Sequence, residues 1–386
     1  MLRFPGRGFN SLRPTARLCV FLLALLALLG LTGCPPFPDP EIQISHYDPF
    51  RAYEGTTYFE AAYFFPGYFA VDMEGNILWY RSNAISIAGD GAGMSMMADG
   101  KILAMPEMVP TIFDPQEDTI LWEHFEHRTH HSIIESPWGT VLFLVQEDVE
   151  HNHEPWGTCR VLGDKIVEIN LEHETLWEWT LADHVDPLLH HRPEMCSLGF
   201  GRGDWSHSNT VKAYSNYHYN GRFHAILVLL ARNLHTFYVI DYPSGDILWS
   251  CGEHGTLGRS EPPDPLLFDE AHGVEMLANN HFLLFDNGVR RTPLRSRALE
   301  LAIDPEAGTA TTHWEWTDPV DWMRDTWMGD ATRLPNGNTL VTHVLRGRLV
   351  EVTLSGDKVW QMDLRHRDRP LAEGLNTIYT GFRVSD

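Results

Sequence analysis

The sequence predicts an all-β fold, a six-bladed β-propeller of four-stranded antiparallel blades. The first observation behind this prediction is a repeated phrase in which a turn and an aliphatic residue lead into tryptophan. Its six copies end at Trp79, Trp122, Trp177, Trp249, Trp314 and Trp360. The copies lie roughly 43 to 72 residues apart, a spacing typical of propeller blades with loops of uneven length. Each copy supplies two strands joined by a turn, and its tryptophan is expected to be buried in the core.

The second observation is a series of β-hairpins that precede most of the tryptophan phrases. Their turns are rich in Asp, Asn, Gly and Pro, the residues that tight turns require. In chain order the turns are predicted at Asp99-Gly100, Pro137–Gly139, Asn216–Arg222, Asn279-Asn280 and Asn336-Gly337. A hairpin and a tryptophan phrase together give four strands, which is one blade. The segment 377–384 is expected to close the ring against the N-terminal strands.

The third observation concerns the polar residues at the ends of these hairpins. The start of a hairpin's first strand and the end of its second strand lie at the same end of the blade. His131, His207, His272 and Asp330 open the first strands. The second strands are followed by Glu147, Arg232, the stretch 286–290 and His343. With the first strands innermost, these groups would surround one mouth of a central channel, where we expect the chemistry to take place.

The charge of the chain excludes one class of partner. The 386 residues carry a formal charge of −23, and without the four arginines of the first 33 residues it is about −27. A surface of this sign repels phosphate backbones, so nucleic acid is excluded as a natural partner. At 43% hydrophobic residues the composition is sufficient for a large core.

The N-terminal segment predicts a lipoprotein. Its arginines precede the apolar run Leu18–Leu31, which is short for a membrane span, and Leu31-Thr-Gly-Cys34 resembles a bacterial lipobox. We therefore expect a signal peptide at 1–33, a lipid anchor and tether at 34–58 with lipid on Cys34, and the propeller at 59–386. Pro35 after the cysteine favours an outer-membrane lipoprotein of the cell envelope, facing the periplasm or the cell surface. A plain signal peptide or an uncleaved anchor is the alternative.

Three of the five cysteines would remain for other roles in such a mature protein. They are Cys159, Cys196 and Cys251. A compartment outside the cytoplasm permits disulfides. We expect Cys159 to pair with Cys196, since both lie in irregular stretches, although the pairing among the three stays open.

Several motifs resemble those of one enzyme family. Asp204-Trp-Ser-His-Ser-Asn-Thr-Val resembles the Asp-Trp-x-His-x-Asn-Ser motif of the bacterial arylsulfotransferase (aryl sulfate sulfotransferase) family. The resemblance continues, in the family's order, through Ala231-Arg-Asn, Val239-Ile-Asp241 with Gly245-Asp-Ile-Leu-Trp249, Glu270-Ala-His272, and Phe285-Asp-Asn-Gly288 with Arg290. It implies a six-bladed propeller that moves a sulfuryl group from an aryl sulfate donor to a phenolic acceptor. It also implies a ping-pong reaction through a sulfohistidine, with no nucleotide donor and no cofactor.

The resemblance assigns roles to individual residues. His207, His272 and Arg290 match the family's sulfate-binding and acid/base set, and His343 is the best positional match for the nucleophile. Arg232 and His131 are expected to help bind substrate. These residue types suit the chemistry, because a guanidinium binds sulfate oxygens with several donors while a neutral imidazole is a competent nucleophile near neutral pH.

Two other readings stay open. Twenty-one histidines, with local groups at 127–131, 151–153 and 190–191, leave room for a metal-binding protein, although none shows the spacing of a known zinc site. A non-enzymatic propeller lipoprotein that acts as an envelope scaffold is the other alternative. We predict no metal site. The chain has no room for the N-terminal β-sandwich that supports dimers in some family members, so its oligomeric state is open.

Overall fold

The computed structural model describes residues 40–63, 65–83, 93–153, 157–187, 203–259, 267–320, 323–366 and 376–385. These residues form strands, turns and short 3-10 segments, which confirms the predicted all-β class. The 3-10 segments are Pro106–Met108, Leu181–Asp183, Arg232–Leu234 and Val344–Arg346.

The described residues form six sheets, numbered I to VI, each with a core of four antiparallel strands. The first half of the chain contributes β1 (Pro40–Tyr47), β2 (Thr56–Tyr63), β3 (Gly67–Val71), β4 (Ile77–Ser82), β5 (Met94–Met96), β6 (Ile102–Ala104), β7 (Thr111–Asp114), β8 (Thr119–Glu123), β9 (Thr129–Glu135), β10 (Val141–His153), β11 (Gly157–Ile169), β12 (Thr175–Thr180) and β13 (Gly203–Asp204). The second half contributes β14 (Ser208–Tyr219), β15 (Arg222–Ala231), β16 (Thr236–Tyr242), β17 (Ile247–Gly252), β18 (Gly258–Arg259), β19 (His272–Met276), β20 (Phe282–Asp286), β21 (Arg297–Asp304), β22 (Thr309–Trp316), β23 (Ala331–Arg333), β24 (Thr339–His343), β25 (Arg348–Val352), β26 (Lys358–His366) and β27 (Asn376–Val384).

The four core strands follow chain order in every sheet except sheet I. Sheet II is β5 to β8, sheet III β9 to β12, sheet IV β14 to β17, sheet V β19 to β22 and sheet VI β23 to β26. In sheet I, β27 pairs with β2, followed by β3 and β4. The predicted closure of 377–384 against an N-terminal strand is therefore confirmed. Strands β13 and β18 add parallel edges to β11 and β22.

Two local predictions differ from the structure. The turn expected over Asn216–Arg222 is shorter, because β14 and β15 stay paired as far as Tyr219 and Arg222, leaving only Asn220 and Gly221 between the strands. Part of the segment expected to be a tether is a fifth strand of sheet VI, where β1 pairs with β26. Its Ile42 and Ile44 alternate inward and pack against the core shared by sheets VI and I, which a free tether would leave exposed.

Apolar packing lies between neighbouring sheets, because both faces of each sheet are covered. Successive residues of a strand point to opposite faces. In β20, Phe282 and Leu284 pack towards sheet IV, whereas Leu283 and Phe285 pack towards sheet VI. Separate buried clusters fill the junctions I–II, II–III, III–IV, IV–V, V–VI and VI–I. This explains why inner strands read as continuous apolar runs rather than as alternating ones.

Hydrogen bonds at the first strands connect each sheet to the next and the last to the first. In order from I–II to VI–I the donors and acceptors are Gly93 N to Glu60 Oε2 (2.7 Å), Ser95 Oγ to Ile133 O (3.0 Å), Val211 N to Ser132 Oγ (3.0 Å), Gly273 N to Thr210 Oγ1 (3.0 Å), Arg333 N to Glu275 Oε1 (2.8 Å) and Thr380 Oγ1 to Asp330 Oδ2 (2.5 Å). The contacts form a closed cycle.

A second set of inter-sheet contacts uses the repeated tryptophans on the fourth strands. Five of the six indoles donate to a turn of the following sheet, over 2.9–3.0 Å: Trp79 to Asp118 Oδ1, Trp122 to Leu171 O, Trp177 to Pro243 O, Trp314 to Leu354 O and Trp360 to Met73 O. Trp249 instead donates to Tyr217 of its own sheet at 3.1 Å. Trp79, Trp249 and Trp360 are buried as predicted, whereas Trp122, Trp177 and Trp314 are half-buried.

Trp360 provides a test of these contacts. Its indole is fully buried, stacks under the Arg383 guanidinium at 4.3 Å and bonds sheet VI to sheet I. Trp360→Phe leaves the Met73 carbonyl without its donor and opens a small cavity. We expect a loss of about 2–4 kcal/mol in the free energy of unfolding, measured by urea titration. Trp177→Phe, which removes a similar but solvent-accessible bond, is the control and should cost clearly less. Equal losses would contradict a special role for burial at the VI–I junction.

Candidate active site

The first strands of all six sheets surround one small cavity of about 50 Å³. Each sheet contributes to its lining, with Tyr379 from sheet I, Met94 from II, His131 from III, Asn209 from IV, His272 from V and Asp330 from VI. The structure thus places His131, His272 and Asp330 together, as the hairpin geometry predicted.

Residues with left-handed backbone conformations lie at or near the start of these first strands. The φ angles are +57° at His131, +44° at His207, +50° at Glu270 and +58° at Met328. A side-chain-bearing residue is uncommon in this region and costs free energy that the surroundings must supply. Such residues cluster at functional sites, and here they occur at the same end of sheets III to VI, beside the cavity.

His131 and His207 are in direct contact. Their ring centroids lie 4.7 Å apart with an interplanar angle of 68°. Nδ1 of His207 bonds to Oδ2 of Asp204, which leaves Nε2 as the ring nitrogen that a ligand can contact. Asn233 Nδ2 donates to the Asp204 carbonyl at 2.9 Å and so holds the segment in place.

The two imidazoles have opposite protonation tendencies. Burial alone would lower the pKa of His207, but the hydrogen bond and charge of Asp204 outweigh it and raise that pKa above its ordinary value. For His131, burial lowers the pKa well below the ordinary value, and the neighbouring His207 lowers it further. The cavity wall therefore carries the neutral imidazole of His131, and this ring contacts His207, whose pKa is raised.

His131 is backed by a second histidine and a buried carboxylate. Its Nδ1 lies 2.9 Å from Nδ1 of His130. Nε2 of His130 lies 3.2 Å from Oδ1 of Asp164, close enough for an ion pair although the angle is poor for a hydrogen bond. Ser206 Oγ and Ser208 N donate to Oδ2 of the same carboxylate at 2.6 and 2.5 Å.

His272 lines the cavity with both ring nitrogens engaged. Met328 N donates to its Nε2 at 3.2 Å, so Nδ1 carries the hydrogen and donates to Asn287 Oδ1 at 2.8 Å. Asn287 Nδ2 in turn donates to the carbonyls of Asp325 and Met328, both at 2.9 Å. Burial, with the nearby Arg232 charge, lowers the pKa of His272 to about 3. This neutral ring is held rigidly in the cavity wall.

The two predicted arginines are placed differently. Arg232 acts electrostatically on the cavity, since its charge lowers the pKa of both His131 and His272. Its guanidinium bonds to Glu270 and, over 2.9 Å, to Asn233 Oδ1. Arg290 instead pairs with Asp269 at 2.6 Å and Glu253 at 2.8 Å, and about a third of its side chain is exposed. The cation that acts on these histidines is therefore Arg232.

His343 lies behind the cavity wall at the end of β24. Its side chain is 2% exposed, and its Nδ1 lies 2.9 Å from Oδ2 of Asp325 without hydrogen-bonding geometry. The Asp325 carbonyl accepts from Asn287, so His343 belongs to the layer that supports His272. A substrate could reach His343 only after this layer opened.

Charged groups lie on the other side of the cavity, and of these the sequence had indicated only Asp330. Lys212 and Asp330 line the cavity, and Glu275 lies next to them. Burial raises the pKa of Glu275 to about 7 and also raises that of Asp330, which lessens their repulsion towards an anion. Gly273 allows the close approach here, because a Cβ on it would lie 2.1 Å from Asp330 Oδ1.

Asp164, Asp204 and His130 were also not assigned roles. Asp204 could have been found, since it stands three residues before His207 in the motif that carried the family resemblance. His130 is adjacent to His131, but nothing in the sequence connects either histidine to Asp164, which is on a different strand.

Several predicted features lie outside the described residues. These are the N-terminal segment with Cys34, the side chains of Cys159, His151 and His153, and all of Cys196, His190 and His191. Cys251 is described and buried. In the described part of the chain, the group that matches metal-ligand distances is His281, Glu300 and His313, whose ligand atoms lie within 4.8 Å of one another. Arg333 pairs with Glu300 at 2.6 Å and opposes a cation there.

With this geometry established, the sequence identifies the family. Residues 52–349 match the family described as Arylsulfotransferase (ASST), and the chain belongs to that family. The match supports aryl sulfotransferase activity in general, with an aryl sulfate donor and a phenolic acceptor as its substrates. No curated protein matches the chain significantly in sequence.

Solved structures similar to this chain are distant. A protein of unknown function from Bacteroides caccae is 14% identical with a TM-score of 0.48, covering 85% of this chain and 98% of that one. A β-propeller domain from Myceliophteria thermophila is 11% identical with a TM-score of 0.45, covering 87% and 98%. Virginiamycin B lyase from Staphylococcus aureus is 11% identical with a TM-score of 0.37, covering 83% and 74%. These likenesses are too weak to define a function. Within the described residues no helix is long and apolar enough to cross a membrane.

The buried His272 predicts a specific acid sensitivity. Its folded-state pKa of about 3 is below its ordinary value, so on acidification the unfolded chain takes up the proton first. Stability is therefore lost as pH falls below about 6.5, by about 1.4 kcal/mol at about pH 5.5. The free energy of unfolding, measured by urea titration, should be lower at about pH 5.5 than at neutral pH. We expect His272→Gln to remove this residue's share of that difference. The exposed His313→Gln is the control and should keep the wild-type difference; identical behaviour of both variants would contradict the assignment.

Proposed function

We propose that this chain is a six-bladed β-propeller enzyme that transfers a sulfuryl group from an aryl sulfate to a phenol in two half-reactions, through a sulfohistidine. The observation that carries the proposal is the contact between His131, a neutral imidazole that lines the cavity, and His207, whose pKa is raised above its ordinary value. A nucleophile and a general acid are the two groups that the first half-reaction requires.

The propeller part of the proposal is supported by the closed cycle of hydrogen bonds at the first strands and by the tryptophan contacts at five of the six junctions. Each sheet packs between two others, and β27 joins the C-terminal end to sheet I. In a ring of this kind every sheet has two neighbouring sheets, and all first strands line an axial cavity.

The acid/base part is supported by the Asp204–His207 pair. In the first half-reaction the protonated Nε2 of His207 gives its proton to the departing aryl oxygen as the S–O bond breaks. In the second, the neutral ring accepts the proton of the incoming phenol, whose oxygen then attacks sulfur. Asp204 stabilises the imidazolium that is present before the first half-reaction and is restored by the second, and it holds Nδ1 in its hydrogen-bonding role.

Charge in the cavity supports an anionic substrate despite the acidic surface. Lys212 lines the cavity, Arg232 is close enough to lower the pKa of His131 and His272, and Asp204 raises the pKa of His207. Burial raises the pKa of Glu275 to about 7 and raises that of Asp330, which lessens their repulsion of an anion. Sulfuryl transfer spreads negative charge over the equatorial oxygens, so preorganised donors and cations are the main catalytic contribution that we expect.

We further propose that the protein is attached to the outer membrane by lipid on Cys34. The support comes from the lipobox-like sequence, and β1 begins six residues after that cysteine, at Pro40, which would hold sheet VI close to the membrane. Growth in labelled palmitate, followed by comparison of the wild type with Cys34→Ala, tests the attachment.

Turnover is the first test of the reaction. We expect the purified folded domain to release p-nitrophenol from p-nitrophenyl sulfate when phenol is present, with parallel double-reciprocal plots and no loss in EDTA. His207→Gln should lower the rate by about 10²–10⁴-fold, the usual contribution of a general acid. The control is His224→Gln, which should stay active. It disrupts a buried pair in sheet IV, away from the cavity, in which His224 Nδ1 lies 2.5 Å from Asp241 Oδ1. No turnover over a panel of aryl sulfates would reject the proposal and favour a scaffold.

The pH profile tests the Asp204–His207 pair. His207 acts as an acid only below its folded-state pKa, which Asp204 holds above the ordinary value, so the rate of donor cleavage should fall above that raised pKa. In Asp204→Asn, burial acts without the opposing carboxylate, and the descending limb should move to lower pH by at least about one unit. Measuring kcat/KM for p-nitrophenyl sulfate against pH in both proteins gives the answer. If the descending limb lies at the same pH in both proteins, a group other than His207 is responsible for it.

A further inference from the structure

Three side chains form a row that leads from the core of sheet III to the cavity. Asp164 is 2% exposed, His130 is next to it, and His131 ends the row at the cavity wall. The nitrogens and oxygens along the row are 3.2 and 2.9 Å apart. Such spacing lets the charge at one end determine where the hydrogens lie at the other.

The hydrogens of the row can be assigned from its buried end. Burial alone would raise the pKa of Asp164, but His130 and the serine donors outweigh it and lower that pKa, so the carboxylate is charged. A charged carboxylate favours the hydrogen on the facing nitrogen, Nε2 of His130, and leaves Nδ1 of the same ring as an acceptor. The Nδ1–Nδ1 contact needs one donor, which is therefore Nδ1 of His131. Nε2 of His131 is left with its lone pair.

This lone pair makes Nε2 of His131 the candidate nucleophile. The other two candidates are worse, because His272 uses both of its nitrogens and His343 is almost completely buried. His131 touches His207, so a leaving group that His131 displaces can meet the acid.

We propose that Nε2 of His131 is the atom that receives the sulfuryl group, and that Asp164 and His130 are positioning residues that fix its tautomer. The inference rests on the proposed sulfuryl transfer and replaces His343 as the expected nucleophile. The lone pair of Nε2 forms an N–S bond while the S–O(aryl) bond breaks, and the aryl oxygen takes the proton of His207 and leaves as a phenol. In the second half-reaction the acceptor oxygen forms an S–O bond, its proton goes to His207, and the N–S electron pair returns to Nε2.

The row also explains how the intermediate is stabilised. Sulfurylated His131 carries a positive charge on its ring while Nδ1 keeps its hydrogen. That hydrogen is already donated to His130, and His130 is polarised by the Asp164 carboxylate. No other group has to move when the charge develops, which is the property that makes preorganised electrostatics effective.

Asp164→Asn is a sharp test, because it should exchange the donor and acceptor nitrogens of both histidines in the row. The Ser208 N–H can only donate, so the asparagine must turn its oxygen towards it and its NH₂ group towards His130. Nε2 of His130 then becomes an acceptor, its Nδ1 becomes a donor, and the hydrogen of His131 moves to Nε2. We expect formation of the covalent adduct to slow by about 10⁴-fold, the size of the loss when a catalytic imidazole is held in the wrong tautomer.

Two measurements on the folded domain locate the nucleophile. The first needs no turnover: diethyl pyrocarbonate modifies only unprotonated imidazole, and peptide mass spectrometry shows which histidine reacts first at about pH 5.5, where ordinary histidines are mostly protonated. We expect His131 to react first in the wild type and in His224→Gln. In Asp164→Asn we expect His131 to be strongly protected from modification. The second uses p-nitrophenyl sulfate without acceptor and maps the peptide that gains one SO₃ group.

His131→Gly adds a rescue experiment. The left-handed backbone at this position suits glycine, so the variant should fold and leave a space for free imidazole. Added imidazole should restore release of p-nitrophenol in His131→Gly but not in His207→Gln.

The outcomes separate the two proposals. Turnover with the adduct on His131 supports both, and turnover with the adduct on His343 or His207 overturns the nucleophile assignment while sulfuryl transfer stands. If no aryl sulfate is turned over, the proposed function fails, and diethyl pyrocarbonate still decides: early modification of His131 with protection in Asp164→Asn supports the row, whereas an unreactive His131 overturns it.

Discussion

The structure depends on the hydrogen bond from a fourth-strand tryptophan to a turn of the following sheet. Five of the six repeats make this bond, and the one from Trp360 to Met73 O joins the last sheet to the first. The indole contributes both a large apolar surface to the junction between sheets and a donor that must be satisfied when it is buried. Because the same contact recurs at nearly every junction, the sheets acquire similar spacing and the first strands are brought to one common cavity. The cavity therefore depends on these outer contacts together with the hydrogen bonds that join the first strands.

The chemistry of the cavity comes from the entrances of the first strands. Left-handed residues at His131, His207, Glu270 and Met328 turn the chain there, and their cost has to be covered by the surrounding packing. This arrangement places His131 and His207 in contact while each keeps a different partner, His130 in one case and Asp204 in the other. Two imidazoles of the same intrinsic pKa thereby acquire opposite tendencies, since one is buried next to other imidazoles and the other is bonded to a carboxylate.

Much of the fold could be predicted, and the site only in outline. Turn residues and strand periodicity are local properties, so Asp99-Gly100 and Asn336-Gly337 were correctly identified as hairpin turns. The turn at 216–222 was placed too wide, because cross-strand pairing extended β14 and β15 beyond what their composition indicates. For the site, hairpin geometry brought His131 and His272 together correctly. It could not show that His272 has both nitrogens engaged, nor that the side chain of Arg290 is directed to Asp269 and Glu253.

The sequence by itself determined the all-β class, the family and the residues that face one another at the strand entrances, because repeats, turn chemistry and short motifs are written along the chain. Only the tertiary structure decided which histidine is supported by which carboxylate. Asp164 lies 34 positions from His130 in the chain, yet its Oδ1 lies 3.2 Å from the ring, and it is this contact that assigns the hydrogens of His131. Protonation depends on burial and on neighbours brought together from separate strands, and such neighbours cannot be read from residues taken in sequence order.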